Sequence, residues 1–115
     1  MDTRTKIISA DAARGVEGAL IISGYFDPLT REHAERLRDL KQPGRPMLVV
    51  IATADNAILP SAARAQLVAG LACVDFVTES TPGLTSHTAL EAEDSQRLQR
   101  LIEHVGLRQQ AAAAK

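Results

Sequence analysis

The chain has 115 residues, of which 45% are hydrophobic and 23% charged, and its formal net charge is −1. These values are typical of one globular domain, and they argue against a basic surface for nucleic acid and a polybasic membrane anchor. A single cysteine excludes an internal disulfide, and no apolar run approaches the roughly 20 residues that cross a bilayer. We therefore expect a cytoplasmic protein that binds neither nucleic acid nor membrane.

Apolar runs alternate with helix-like segments along the chain and predict the order β-α-β-α-β-α. The predicted strands are 19–23, 47–53 and 73–78, and the first two predicted helices are 29–40 and 61–71. These strands are continuously apolar, which is typical of a parallel sheet buried on both faces. We therefore expect a single α/β domain with a Rossmann-like parallel sheet flanked by helices, and disordered ends at about 1–5 and 108–115.

A third helix is predicted in the last quarter of the chain. Thr88 and Glu91 fit a capping box in which Thr88 is the N-cap, and an apolar stripe follows over 98–105. Near the start, residues 6–9 allow two interpretations, a short edge strand or a leading turn.

The segment 24–33 joins the first predicted strand to the first predicted helix. A strand that ends in a glycine turn and opens into a helix commonly binds phosphate, because free amides and the positive end of the helix dipole point at the ligand. Thr30 and His33 lie three residues apart and add a hydroxyl and an imidazole that can contact phosphate oxygens. The sequence therefore predicts an anion site at this turn.

This segment resembles the signature of the HIGH-motif nucleotidyltransferases, the cytidylyl- and adenylyltransferases. That signature is a strand, then Gly-x-Phe-Asp, then Leu, then His or Thr-x-Gly-His, and the chain matches it at Gly24, Phe26, Asp27, Leu29, Thr30 and His33. A second segment, 59–77, resembles the family's Pro…Glu-Arg…Leu…Val-Asp-x-Val, with Arg64, Val74 and Asp75 in register. Lys6, Ile7, Thr81 and Pro82 add similarity to the adenylyltransferase domain of ADP-heptose synthase.

The resemblance implies nucleotidyl transfer, in which a substrate phosphate attacks the α-phosphorus of ATP or CTP and pyrophosphate leaves with the help of Mg²⁺. It implies that Thr30 and His33 are catalytic and contact the nucleotide phosphates. The implied nucleotide-binding residues are Gly24, Tyr25, Phe26, Asp27 and Arg64, with Asp27 orienting the loop. The implied second substrate is a small phosphorylated molecule such as a sugar phosphate, and the family habit implies a homodimer.

Three departures from the family pattern favour a different function. Glu32 stands where the family has glycine, 55–58 carries no cation to clamp phosphate, and the family's C-terminal Ser/Thr-rich motif has no counterpart. The alternative is a catalytically degenerate homologue that binds a nucleotide or a partner protein.

Single residues also allow structural interpretations. Asp27 and Pro28 suit the N-cap and first position of a helix. His33 shares a helix face with Leu37 and so fits a core or boundary position. Arg64 could pair with a surface carboxylate, and Asp75 could cap or pair within the fold.

Overall fold

A four-stranded, all-parallel sheet organises the residues that the computed structural model describes, which are 2–53, 57–79 and 84–93. Its strands are β1 (Leu20–Gly24), β2 (Met47–Ile51), β3 (Phe76–Glu79) and β4 (Thr88–Ala89). The helices are α1 (Ala10–Arg14), α2 (Arg31–Leu40) and α3 (Ser61–Ala69), with a 3-10 helix at Thr3–Lys6 and helical residues at 90–93. The predicted Rossmann-like α/β architecture is confirmed.

The strand order is β3-β2-β1-β4, so the sheet reverses its winding beside β1. The chain passes from β1 to β2 on one side, whereas β4 joins β1 on the other, with Ser23 opposite Ala89. In open α/β sheets, ligands bind at the carboxyl ends of the strands next to such a reversal. The segment that follows β1 lies at this position.

Both faces of the sheet are covered, but unequally. On one face, Ile22, Val49 and Val77 of three strands pack with Leu37 of α2 and Val68 of α3, and all five are fully buried. Burying an aliphatic side chain of this size stabilises the fold by about 1.5–3 kcal/mol. A smaller cluster on the other face centres on Ala13 of α1, Ala19 and Leu48.

Several boundaries differ from the prediction. β1 extends to Gly24, β3 begins only at Phe76, and α2 begins at Arg31 with Thr30 as its N-cap. The interpretation of Asp27 as an N-cap was therefore wrong, because the chain needs three more residues to complete the turn.

The capping box predicted at Thr88 was also wrong. Thr88 pairs with Ile22 as the first residue of β4, and the helix begins only at Leu90. His87 prepares this pairing, because its backbone N–H donates to the carbonyl of Ile21 (2.7 Å) and its Nδ1 accepts from the Ile21 N–H (2.9 Å). A local helix signal was thus overridden by pairing with a distant strand.

Residues 6–9 combine both of their interpretations. A 3-10 helix ends at Lys6, and Ile7 then forms a parallel bridge with Val77 at the β3 edge. Within the described ranges, the helices are too short and too polar for any of them to cross a membrane. The predicted apolar stripe over 98–105 and the matches at Thr81 and Pro82 lie outside the described residues.

Candidate functional site

The turn after β1 is shaped by the close approach of two residues. Phe26 is fully buried, and its φ of 49° lies in the left-handed region that non-glycine residues seldom adopt. A Cβ on Gly24 would lie only 2.6 Å from the Phe26 ring, so glycine is required for the ring to fold back over the strand end. The ring also meets the imidazole of His33 edge to face, with 5.3 Å between centroids.

Asp27 joins this turn to the loop that precedes α3. Its carboxylate accepts hydrogen bonds from the backbone N–H groups of Ile58 (2.6 Å) and Leu59 (2.7 Å). Charge-assisted bonds of this kind are stronger than bonds between neutral groups. Asp27 therefore fixes the position of the 57–59 loop relative to β1.

Thr30 and His33 bind each other at the start of α2. The Thr30 N–H donates to His33 Nδ1 (3.1 Å), and Thr30 Oγ1 accepts from the His33 N–H (3.4 Å) while lying 2.9 Å from Nδ1. Because a backbone N–H can only donate, Nδ1 is the acceptor and the ring proton of the neutral imidazole is on Nε2. The residues that the resemblance assigns to catalysis thus form a reciprocal cap, with His33 buried and Thr30 exposed.

Arg64 is the most deeply buried of the charged residues assigned to the site, at 4% exposure. Its Nη1 donates to the carbonyls of Tyr25 and Ala52, each at 3.0 Å, and its Nε donates to the carbonyl of Leu59 at 3.2 Å. Arg64 therefore holds the ends of β1 and β2 and the 57–59 loop together. The interpretation as a partner of a surface carboxylate was wrong, because the partners of Arg64 within the described ranges are backbone carbonyls of half-buried residues.

A pocket of about 590 Å³ opens beside Arg64 at the carboxyl edge of the sheet. We call it the Arg64 pocket, and it is lined by Ile51, Ala52, Thr53, Ala57, Ile58, Leu59, Pro60, Ser61, Arg64 and Glu79. It lies at the N-terminal end of α3, where Ser61 Oγ donates to the Glu79 carboxylate (2.7 Å). Of the sequence-predicted residues, Arg64 lines this pocket, whereas Thr30 and His33 do not.

One nitrogen of the Arg64 guanidinium, Nη2, is not bonded to the described part of the fold. All three of its hydrogen bonds use Nε and Nη1, and among the described residues Nη2 has no partner. No fully buried side-chain nitrogen or oxygen in the described ranges lacks a partner, so Nη2 retains access to solvent. Arg64 also forms no ion pair within those ranges, and the groups that accept its hydrogen bonds are neutral carbonyls, so its positive charge is buried without a direct ionic partner.

A second, smaller pocket contains residues that the sequence did not indicate. We call it the Glu91 pocket; it measures about 210 Å³ and is lined by Ser23, Val50, Ala52, Thr53, Leu84, Ser86 and Glu91. Ser23 Oγ lies 2.8 and 2.9 Å from the two Glu91 carboxylate oxygens and 3.1 Å from Ser86 Oγ. Ser23 and Glu91 are 68 positions apart, so no local motif could have revealed their contact.

The structure thus sorts the predicted residues into two groups. Gly24, Phe26, Thr30 and His33 form the packed turn and helix cap, whereas Asp27, Arg64 and the Tyr25 carbonyl assemble the loop around the Arg64 pocket. A sequence signal for the burial of Arg64 existed, because Val68 lies one helical turn later on the same buried face.

Within the described ranges, no group of three or more His, Cys, Asp or Glu side chains is arranged to hold a metal ion. Mg²⁺ is commonly bound through one or two carboxylates together with substrate phosphates.

No protein-family model matches the chain, and no curated protein sequence matches it significantly. The resemblance to the nucleotidyltransferases therefore rests on the motif residues alone.

Proposed function

We propose that this protein binds a nucleoside phosphate in the Arg64 pocket, as a nucleotidyltransferase-like domain. The observation that carries the proposal is the buried charge of Arg64, whose Nη2 is left for a ligand while its other two nitrogens hold the protein. Burying a charge without a counter-charge is costly, so an anionic ligand there would gain a strong, charge-assisted hydrogen bond.

The position of the pocket supports the same proposal. It lies at the carboxyl edge of a parallel sheet, where this architecture commonly binds nucleotides, and beside the N-terminal end of a nine-residue helix. Its volume of about 590 Å³ falls within the usual range of small-molecule sites. Glu79 also lines the pocket and disfavours a bare polyphosphate, so we expect Mg²⁺ to strengthen the binding of a di- or triphosphate.

Transfer of AMP or CMP to a small phosphorylated substrate, such as a sugar phosphate, is the second candidate function. It is favoured by the placement of Thr30 and His33 at the start of α2, near the turn that Arg64 contacts. Binding without transfer is the better-supported proposal, because Thr30 and His33 bind each other and Arg64 is committed to three carbonyls.

A ligand comparison tests the proposal on the unmodified chain. Thermal unfolding is measured with ATP, CTP, ADP and adenosine, each with and without Mg²⁺. A nucleotide at one hundred times its dissociation constant should stabilise the protein by about 2.7 kcal/mol, whereas adenosine should add much less because it lacks phosphate. Amide NMR shifts should move at Ala57, Ile58 and Leu59.

Two further measurements separate the candidates. Absence of stabilisation by every nucleotide, or equal stabilisation by adenosine, would contradict phosphate binding in this pocket. Pyrophosphate release from ATP or CTP in the presence of sugar phosphates would establish transfer, and a Thr30→Ala variant that still releases it at the normal rate would exclude Thr30 from the chemistry.

A further inference from the structure

The Glu91 pocket is adjacent to the Arg64 pocket. The two pockets share Ala52 and Thr53 in their linings but no charged residue. The Glu91 pocket sits at the reversal of the sheet between β1 and β4, where Ser23 is flanked by Val50 on one side and Ala89 on the other. This position favours ligand binding in open α/β sheets.

The hydrogen bonds in this pocket have a defined direction. Ser23 is only 7% exposed, and its hydroxyl has one proton to donate. Both Glu91 oxygens lie within 2.9 Å of Ser23 Oγ and can only accept, so that proton goes to the carboxylate. Ser23 Oγ therefore accepts from Ser86, which gives a chain of bonds from Ser86 through Ser23 to Glu91.

The pocket consequently combines donors and acceptors around a small apolar floor. Glu91 contributes carboxylate oxygens, Ser86 and Thr53 contribute hydroxyls, and Val50 and Leu84 contribute apolar surface. A ligand that both donates and accepts hydrogen bonds, and that carries carbon-bound hydrogens to pack on the floor, is complementary to this lining.

We propose that the Glu91 pocket binds the vicinal hydroxyl groups of a sugar ring, with Glu91 accepting from the pair and the serine hydroxyls completing the contacts. A volume of about 210 Å³ suits one such ring. A primary amine is the main competing ligand, but an ammonium group only donates, so it could not accept from the Thr53 hydroxyl, whereas a sugar hydroxyl can. The inference concerns chemistry separate from Arg64, and it holds whether or not the chain binds a nucleotide.

The test uses the full chain, the free sugar D-ribose and amide NMR shifts, which report weak binding and its location. D-ribose should move the amide resonances of Ser23, Ser86 and Glu91, and 2-deoxy-D-ribose should bind more weakly because it lacks one hydroxyl of the pair. Glu91→Gln should weaken D-ribose binding by about tenfold or more, since it removes the charged acceptor.

A matched control is provided by Glu93. It lies two residues further on, pairs with Arg36 at 3.0 Å, and does not line the pocket, so Glu93→Gln should leave D-ribose binding unchanged. If Glu91→Gln fails to fold, Ser86→Ala replaces it, with an expected weakening of about threefold or more.

Three results would overturn the inference. The first is an absence of shifts at these amides with D-ribose at millimolar concentration. The second is a folded Glu91→Gln variant that binds D-ribose as tightly as the unmodified chain. The third is binding of ethanolamine, and not of D-ribose, at the same amides. Because D-ribose carries no phosphate, each of these results is distinguishable from a failure of nucleotide binding at Arg64.

Discussion

Two arginines hold loops together at opposite ends of the strands, and they use their guanidinium groups differently. Near the amino ends of the strands, Arg45 donates through Nε to Gly18, through Nη2 to Ala19 and through Nη1 to Gln42. At the carboxyl edge, Arg64 donates through Nε and Nη1 alone. Both arginines line a pocket, but Arg45 is bonded to the fold through all three nitrogens, whereas Arg64 leaves Nη2 without a hydrogen bond among the described residues.

The two arginines also differ in burial. Neither forms an ion pair within the described ranges, since Asp75 near Arg45 pairs with Lys41 and accepts from the Met47 N–H (2.8 Å). Arg45 is half-buried, so water can reach its charge, whereas Arg64 is only 4% exposed. The comparison teaches that the number of guanidinium nitrogens used, together with the burial of the charge, separates a structural arginine from one available to a ligand.

Replacing the two arginines should give the largest effect and test this comparison directly. We expect Arg64→Ala to lower the free energy of unfolding by about 3 kcal/mol or more, because three half-buried carbonyls lose a charged donor and the buried side chain leaves a void. Arg45→Ala should cost about 1 kcal/mol, since Arg45 is only half-buried and water can replace its bonds. Urea unfolding of both variants measures the difference, and equal losses would contradict the distinction.

The next effect concerns the packed turn at the carboxyl edge. Gly24→Ala should destabilise the protein by about 2 kcal/mol, because the added methyl group would collide with the Phe26 ring at 2.6 Å. Gly15→Ala is the matched control, as its added carbon would make an ordinary contact of 3.5 Å with the Ala12 carbonyl. A thermal-unfolding series that ranks Gly15→Ala as equally harmful would show that the ring approach is unimportant.

The smallest effect concerns Asp75, near the amino ends of the strands, and it depends on pH. Burial opposes ionisation of Asp75, but the hydrogen bonds from Lys41 and the Met47 N–H together outweigh it and hold the pKa of Asp75 below its usual 3.8. A lowered pKa in the folded state stabilises the protein above about pH 4, and this contribution is lost as the pH falls through the folded value. Because the side chain is 42% exposed, solvent reduces the contribution to no more than about 1 kcal/mol.

Asp75→Asn isolates this effect, because the amide keeps an oxygen for the Met47 N–H but loses the charge. The variant should be less stable than the unmodified chain at pH 7, and the two should converge as the pH falls below the lowered pKa of Asp75. Urea unfolding across this range provides the measurement. A difference that persists unchanged at low pH would mean that packing, rather than charge, determines the role of Asp75.

The sequence predicted those parts of the fold whose signal is local. The continuous apolar runs at 19–23 and 47–53 predicted β1 and β2. A strand that is buried on both faces is apolar at every position, so its own sequence is enough to predict it. β4 was missed because two residues carry no periodicity, and Thr88 imitated a helix cap. Its pairing with Ile22 depends on the three-dimensional arrangement of distant segments.

The candidate site was predictable to the same extent. Gly24, Asp27 and Arg64 were identified through the resemblance to the nucleotidyltransferase motifs, and the structure places them around one turn and loop. Arg64 contacts three carbonyls and also lines a pocket, and these contacts depend on a three-dimensional arrangement that the sequence motif does not specify. The joining of Ser23 to Glu91 likewise follows from the register of β4 on β1.

The shortness of β4 has a consequence for how the Glu91 pocket forms. This strand enters the sheet through two residues, assisted by the His87 ring, which accepts a backbone hydrogen of β1. Segments with so few backbone bonds open more readily than the centre of a sheet. Occupancy of the pocket and attachment of residues 87–91 are therefore thermodynamically linked, so a guest that contacts Glu91 should slow amide exchange at Ile21.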